Sequence, residues 1–389
     1  MVAGLLYPFL LAVSAQAAPP APEAASETPP IIVTGKRLED SEAALRACLA
    51  RKCPPDEDIN ATLAHAENLF VAGDYEKART TLKRSLDRNR KYADRYPIPV
   101  SDLYRSNALV ANHLGIEEDY FLSTWGTLHA LKEGIPDPGW RHFGARMEIA
   151  RMTARLRSFD DAERQYSRIA KDAEKAGRSD IAVLARLRGL AMEHQQRPSN
   201  VTRREIEKIA ALTGPQTLYA SSAAKLYLAR LAGQAGRIAE AEAMIREVAG
   251  AGVKALVLVY APPYQLNVQE VDRTDPSVLD APRGNPAYRY GGNFDDMWID
   301  VGFWVQANGH VSDVKVLRKS SGASWADPLL ESIKGRLYAP LEQPSYRQER
   351  YTYTAGWETQ TGSRIKRRSP RARIEYLDLT MREAAPPPQ

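Results

Sequence analysis

The chain has 389 residues, of which 44% are hydrophobic and 26% charged, with a formal net charge of +5. That is long enough for two domains of ordinary size and apolar enough for a sizeable core. A net charge this small for the length excludes a whole-chain nucleic-acid binder.

Residues 1–17, MVAGLLYPFLLAVSAQA, place an apolar run over 2–13 ahead of Ala15-Gln16-Ala17. A short apolar run followed by small residues predicts a secretory signal peptide and export, although no Lys or Arg precedes the run. A buried N-terminal helix is the competing reading. The run is short for a membrane span, and no later stretch is long and apolar enough to cross a bilayer. Cys48 and Cys53 are the two cysteines. With export they predict a disulfide that pins the start of the first domain, since an oxidising compartment favours the bridge. Residues 18–40 are Ala/Pro-rich and then extended, and read as a linker. Within them IIVTGKR resembles the start of the plug of TonB-dependent outer-membrane receptors; an extended tail is the simpler reading.

From 41 to 250 the apolar positions follow a helical period. One pattern recurs. Ala66, Leu69, Gly73, Tyr75, Ala78 and Leu82 mark its first copy. Ala150, Phe159, Ala162 and Tyr166 stand at matching places, as do Ala229, Gly236, Ile238, Ala241 and Ile245. A looser copy surrounds Tyr120, which replaces the small residue expected there. The pattern implies two close-crossing helices joined by a tight turn: Ala66 and Ala78 are small where helices cross, and Gly73 supplies a positive φ. These segments resemble tetratricopeptide (TPR) repeats. An irregular bundle is the alternative. A repeat stack has a concave face made by the first helix of each unit. In the clearest copy that face carries Asn60, Leu63, Glu67 and Phe70, candidate partner contacts unless a neighbouring helix covers them.

Residues 251–293 change character, first apolar and Pro-stopped, then rich in Pro, Gly and Asp, and read as a connecting segment. The second domain is expected over 294–383. Ile299, Val301, Phe303 and Val305 alternate with Asp300, Gly302, Trp304 and Gln306, which predicts a strand with one buried face. Asn308-Gly309 predicts the hairpin turn, both positions tolerating positive φ. Val311, Val314 and Val316 continue on the return strand, with a bulge expected at Ser312-Asp313 where the alternation slips. WADPLLESIKG predicts a short amphipathic helix with Leu329, Leu330 and Ile333 on one face. RQERYTYTAGWE and ARIEYLDLT predict two further strands.

This β-β-α-β order, with VGFWV, ANGHVSDVKVLRKSSG, PLLESIKG and RLYAP, resembles the C-terminal domain of the energy transducer TonB. The Tyr-Pro before the first strand is missing, and the basic-aromatic stretch Arg336-Leu337-Tyr338 lacks Trp. The resemblance implies an α+β chain: an all-α, TPR-like solenoid followed by a small TonB-C-like domain. It also implies an open sheet edge at Arg350, Tyr351, Thr352, Tyr353 and Thr354, to which a receptor peptide adds as a strand. The sequence allows two arrangements of ARIEYLDLT: it covers that edge or leaves it free.

Arg364, Lys366, Arg367, Arg368, Arg371 and Arg373 form a basic run, read either as peripheral contact with anionic membrane or as a solvated loop. The six histidines form no metal-spaced pair, and G-x-S-x-G, H-E-x-x-H and P-loop motifs are absent. No cofactor, metal or catalytic residue is therefore expected. The expected role is an exported, non-catalytic periplasmic scaffold that binds envelope proteins, and the resemblance to TonB implies outer-membrane receptors among them. The alternatives are a TonB-type energy transducer and an envelope enzyme without a recognisable motif.

Overall fold

The computed structural model describes residues 37–135, 139–250, 256–264, 297–320, 323–359 and 366–380, with 249–250, 323–324, 354–359 and 366–373 described by backbone alone. The signal segment 1–17, the linker to residue 36 and most of the connecting segment lie outside the described residues.

Eleven helices come first: α1 (Leu38–Ala50), α2 (Pro55–Ala72), α3 (Tyr75–Asn89), α4 (Pro97–Leu114), α5 (Glu117–Gly134), α6 (Trp140–Arg155), α7 (Phe159–Lys175), α8 (Ser179–Gln196), α9 (Asn200–Ala210), α10 (Leu218–Gln234) and α11 (Ile238–Gly250). After α1 they pair as successive hairpins, each packed on the next. The turns explain the pairing. At the end of α2, Gly73 has φ +89°, its N–H donates to the Phe70 carbonyl, and the Asp74 N–H donates to the Leu69 carbonyl. That closes the helix end and reverses the chain. Asp74 then caps α3 by accepting from the Lys77 N–H at 3.3 Å. Gly115 (φ +73°) and Gly236 (φ +76°) repeat the geometry before α5 and α11. Between α6 and α7 the same place is held by Arg157 at φ +67°, a non-glycine in a strained region.

The small residues expected at helix crossings are where close approach demands them. Ala78, Ala150, Ala162, Ala229 and Ala241 are all fully buried, and Tyr120 is buried at its looser counterpart. The core is a string of separate apolar clusters, one after another along the hairpins. That is the arrangement of a stack in which each unit touches only its neighbours. The α8–α9 hairpin has no glycine turn. Ser199 starts α9 instead, accepting from the N–H groups of Val201 (3.2 Å) and Thr202 (3.1 Å).

Cys48 and Cys53 are joined by a disulfide, with Cα atoms 5.2 Å apart, between the end of α1 and the start of α2. Asp58 on α2 accepts from Arg88 (2.8 and 2.7 Å), Asn89 (2.7 Å) and Thr62 (3.0 Å), which ties α2 to α3.

The second region is built from β1 (Leu258–Tyr260), β2 (Trp298–Val305), β3 (Val311–Lys319), α12 (Asp327–Lys334), β4 (Leu337–Tyr338), β5 (Ser345–Thr359) and β6 (Lys366–Asp378). β2, β3, α12 and β5 follow the expected strand-strand-helix-strand order. The antiparallel sheet runs β3-β2-β5-β6, with β1 and β4 as a separate pair. The bulge falls as expected: Asp313 has φ +51° where the β2–β3 register shifts. At the turn only Gly309 takes positive φ, because the loop is longer than two residues and Gln306 N–H donates to the His310 carbonyl.

The one-sided sheet expected from the alternation is corrected. Ile299, Val301, Phe303 and Val305 pack with Leu329, Ile333, Tyr351 and Tyr353 on one face, under α12. The other face is buried as well, with Asp300 fully shielded from solvent. Its Trp298–Asp300 end lies against α2, while Gly302 and Trp304 are covered by Tyr346 of β5 and Leu317 of β3.

Candidate functional site

Residues 350–354 are not an open edge. Arg350, Tyr351 and Thr352 pair with β2 on one side and β6 on the other, and Tyr353 and Thr354 pair with Ile374 and Arg373 of β6. ARIEYLDLT supplies most of the covering strand. Unpaired strand edges invite uncontrolled pairing, and this one is closed. β3, at the far side, pairs with β2 alone among the described residues.

Arg350 is the centre of a sealed polar cluster. Its guanidinium donates to both oxygens of Asp300, Nε at 2.6 Å and Nη2 at 2.9 Å, and both side chains have 0% exposure. Arg318 donates to the same carboxylate at 2.8 Å. The Arg350 guanidinium carbon lies 4.0 Å from the centre of the Trp298 ring. Its remaining nitrogen, Nη1, donates to the Phe70 carbonyl at the end of α2, at 3.1 Å. Burial works against the charge on Arg350, but the bonds and charge of Asp300 together with Tyr75 outweigh it, so its pKa is raised.

The helix side of this junction is aromatic. Tyr75, Phe70 and His113 form a three-ring cluster in which each ring touches the other two at tilted angles, with centres 4.4 to 4.9 Å apart, and the Tyr75 hydroxyl lies 3.2 Å from the Thr352 hydroxyl. Burial pushes the Tyr75 hydroxyl pKa up. Trp298 packs on Gly73, where an added methyl would meet the indole nitrogen at 2.9 Å.

The sheet region meets the array at equivalent repeat places. Phe70 stands three residues before Gly73, and Gly233 three before Gly236. Gly233 is pressed by the Val259 carbonyl of β1, and Val259 and Ala339 share a cluster with α10 and α11. Arg155, at the end of α6, donates to Glu375 of β6 at 2.7 Å. The ends of α2, α6 and α10 are thus bridged by one sheet region. A second shielded cluster lies on the α12 face of β5. There Glu349 accepts from Arg336 (2.9 Å), Tyr376 (3.1 Å) and Tyr351.

The predicted concave quartet divides. Asn60 and Glu67 are exposed; Leu63 and Phe70 are half-buried, packed on the first apolar cluster. One row continues along the array. Six residues before each turn residue stand Glu67, Leu109, Arg151 and Arg230, and Leu109 is 53% exposed.

The basic run was read as a possible loop. From Lys366 to Arg373 its backbone is strand, paired with β5, while Arg364 lies outside the described residues. A surface cavity of about 440 Å³ is lined by Tyr104, Trp125, Gly126, Leu128, His129 and Lys132. Cys48, Cys53 and Glu57 are close enough to share a metal ion, but both sulfurs are committed to the disulfide.

The junction residues Trp298, Asp300 and Tyr75 carried one signal in the sequence. Two tryptophans, Trp298 and Trp304, fall on the strand face expected to meet water, where large aromatics call for cover.

No protein-family model matches the chain, and no curated protein does. Among solved structures it is similar to BtubC (BKLC) from P. vanneervenii, at 15% identity over 59% of this chain and 94% of that one, with a TM-score of 0.42. It is also similar to the nearly identical TPR-like repeats of a Podosopora anserina putative kinesin light chain. There the identity is 13% over 51% of this chain and 96% of that one, with a TM-score of 0.37. At these values the likeness decides nothing further, and the helix-hairpin assignment rests on the turn geometry above.

Proposed function

We propose that this chain is an adaptor of the cell envelope that binds a protein partner along the row made by the first helix of each hairpin. The observation that carries this reading is the row itself. Glu67 and Leu109 place an exposed acid and an exposed apolar side chain at one repeat position of two successive hairpins, with the half-buried Arg151, paired with Glu148, at the same position of the third, a pattern suited to an extended polypeptide. Elsewhere the deeply buried charges are committed to structure: Asp58 to Arg88, Asp300 to Arg350, Glu349 to Arg336. That supports a role in binding over one in catalysis.

Export belongs to this reading as an inference from the apolar N-terminal segment and the Cys48–Cys53 bridge, which an oxidising compartment favours. A Gram-negative periplasm is the compartment proposed, on the TonB-like order of the C-terminal elements. The energy-transducer alternative needs a free edge on β5, and β6 occupies it. Peripheral contact with anionic lipid through Lys366, Arg367, Arg368, Arg371 and Arg373 is kept within the proposal, because the β5–β6 ribbon that carries them continues past Thr352, the last residue of β5 paired with β2.

Crosslinking capture from envelope extracts tests the reading, comparing the wild type with Leu109→Asp. A partner retained by the wild type and lost by the variant, with a mature N-terminus near Ala18, is the expected result. Equal capture by both proteins removes the row as the binding surface. An intact N-terminus in the cytosolic fraction removes the envelope.

A further inference from the structure

The second helix of the second hairpin, α5, exposes an apolar stripe that no other element covers among the described residues. Phe121, Leu122 and Trp125 are 43%, 58% and 45% exposed. Side chains this large and contiguous on one helix face mark an interaction surface rather than ordinary surface scatter. Their spacing is informative. Glu118, Leu122, Trp125, His129 and Lys132 follow one another at intervals of four, three, four and three residues, and all five are exposed. That interval is the seam of a helix meant to lie along a second helix.

The seam is also symmetric in a particular way. Trp125 is its midpoint, with Glu118 seven residues before and Lys132 seven after. Laid antiparallel on an identical helix about Trp125, the acid of each copy meets the base of the other, and the apolar centres meet each other. A parallel arrangement would set acid on acid and base on base. Beside the midpoint the surface is concave. Gly126 has no side chain, so the Tyr104 ring packs directly on the α5 backbone, 2.5 Å from where a methyl would sit, and the cavity of about 440 Å³ opens beside that ring, lined also by Trp125, His129 and Lys132. In the antiparallel arrangement Phe121 of the other copy falls opposite His129, at the mouth of this cavity.

We infer that α5 is a self-association surface, on which a second copy of this chain docks antiparallel through Leu122 and Trp125, with Glu118 facing the partner's Lys132 and Phe121 entering the partner's cavity. Such a contact is isologous, so it closes at a dimer and does not propagate. It lies on the second helix of its hairpin, whereas the proposed partner row lies on the first helices, so the two readings fail independently.

Sedimentation equilibrium on the full mature chain tests it, over about 1 to 100 µM as befits a single helix–helix contact at the small end of stable interfaces. A monomer–dimer equilibrium is expected. Leu122→Asp should abolish it without changing the circular dichroism spectrum or the melting temperature, since the side chain is exposed. Glu118→Lys should weaken association about tenfold, and adding Lys132→Glu should restore it. A wild-type chain that stays monomeric at 100 µM overturns the proposal. So does a double variant no tighter than Glu118→Lys alone, or a Leu122→Asp variant that still dimerises.

Discussion

The helical array and the sheet region are held together by different physics. Along the array, cohesion is local and apolar: alanines at helix crossings, leucines and tyrosines filling gaps, glycine at the turns, and apolar clusters that each join neighbouring hairpins. Its most buried charge, Asp58, is met by residues of its own hairpin. The sheet region buries charges whose partners come from distant parts of the chain, and its Arg350 reaches across to the carbonyl of Phe70. A repeat stack tolerates change in any one unit because each unit depends on its neighbours alone. A buried ion pair does not, since removing one partner strands the other without water. Local apolar packing thus supplies the array's stability, and the ionic cluster fixes the sheet at the end of α2, alongside the apolar contact of Val259 and Ala339 with α10 and α11.

The largest expected effect tests that cluster directly. Asp300→Ala leaves Arg350 buried without its carboxylate and should cost about 3–5 kcal/mol in urea unfolding. The double change Asp300→Leu with Arg350→Met should recover most of the loss, because the penalty is for a stranded charge and not for the absence of a pair. A single change costing no more than an exposed ion pair would break the comparison.

A matched pair of glycines sharpens it. Gly73 and Gly236 hold the same turn with φ of +89° and +76°, but an added methyl meets the Trp298 indole at Gly73 and open space at Gly236. Gly236→Ala should therefore cost about 1–2 kcal/mol, the left-handed penalty alone. Gly73→Ala should cost at least about 1 kcal/mol more, because the indole must shift. Equal melting temperatures for the two variants would mean that Trp298 is not seated on the turn.

The array's own charge cluster gives a smaller, pH-dependent effect. Burial raises the Asp58 pKa, but its bonds to Arg88, Asn89 and Thr62 outweigh burial and leave it lowered. A carboxylate depressed in the folded state stabilises fully above its unfolded value of about 3.9, and the contribution is lost as pH falls through the folded value. Asp58→Asn should cost about 1–2 kcal/mol at pH 7. The gap between variant and wild type should close in acid, below about pH 3.9. A gap that stays constant down to pH 2 would show that Asp58 contributes through shape and not through charge.

The smallest effect is expected at the rim. The Arg155–Glu375 pair joins α6 to β6 with its side chains 26% and 17% exposed. Arg155→Gln should cost no more than about 1 kcal/mol and lose that effect in high salt. A larger loss would make this pair a second anchor of the sheet.

Much of the architecture is legible along the chain, for a reason that the particular residues make plain. Gly73, Ala78 and Leu82 announce a helix hairpin because each answers a constraint set by residues a few places away: a turn, a crossing, a gap. Gly236, Ala241 and Ile245 announce another in the same way. Ala150, Phe159, Ala162 and Tyr166 announce a third even though Arg157 holds the glycine's conformation at its turn. The α8–α9 hairpin carries no such pattern, because the Ser199 cap replaces the glycine turn. The strand-strand-helix-strand order and the bulge at Asp313 were likewise visible, since alternation and its slip are local features. The sequence leaves the candidate edge at residues 350–354 undecided between open and covered, because strand order is not written locally. ARIEYLDLT has the pattern of a strand whether it covers β5 or lies elsewhere.

The sequence by itself therefore determined the kinds of element, their order and the turns that join them, because those follow from contacts within a few residues. Only the tertiary structure decided that β6 closes the edge, that the Trp298–Asp300 end of β2 lies against α2, and that Arg350 is shared between Asp300 and Phe70. Each of these joins groups far apart in the chain, and a charge gives no sign in the sequence of which distant partner will compensate its loss of water.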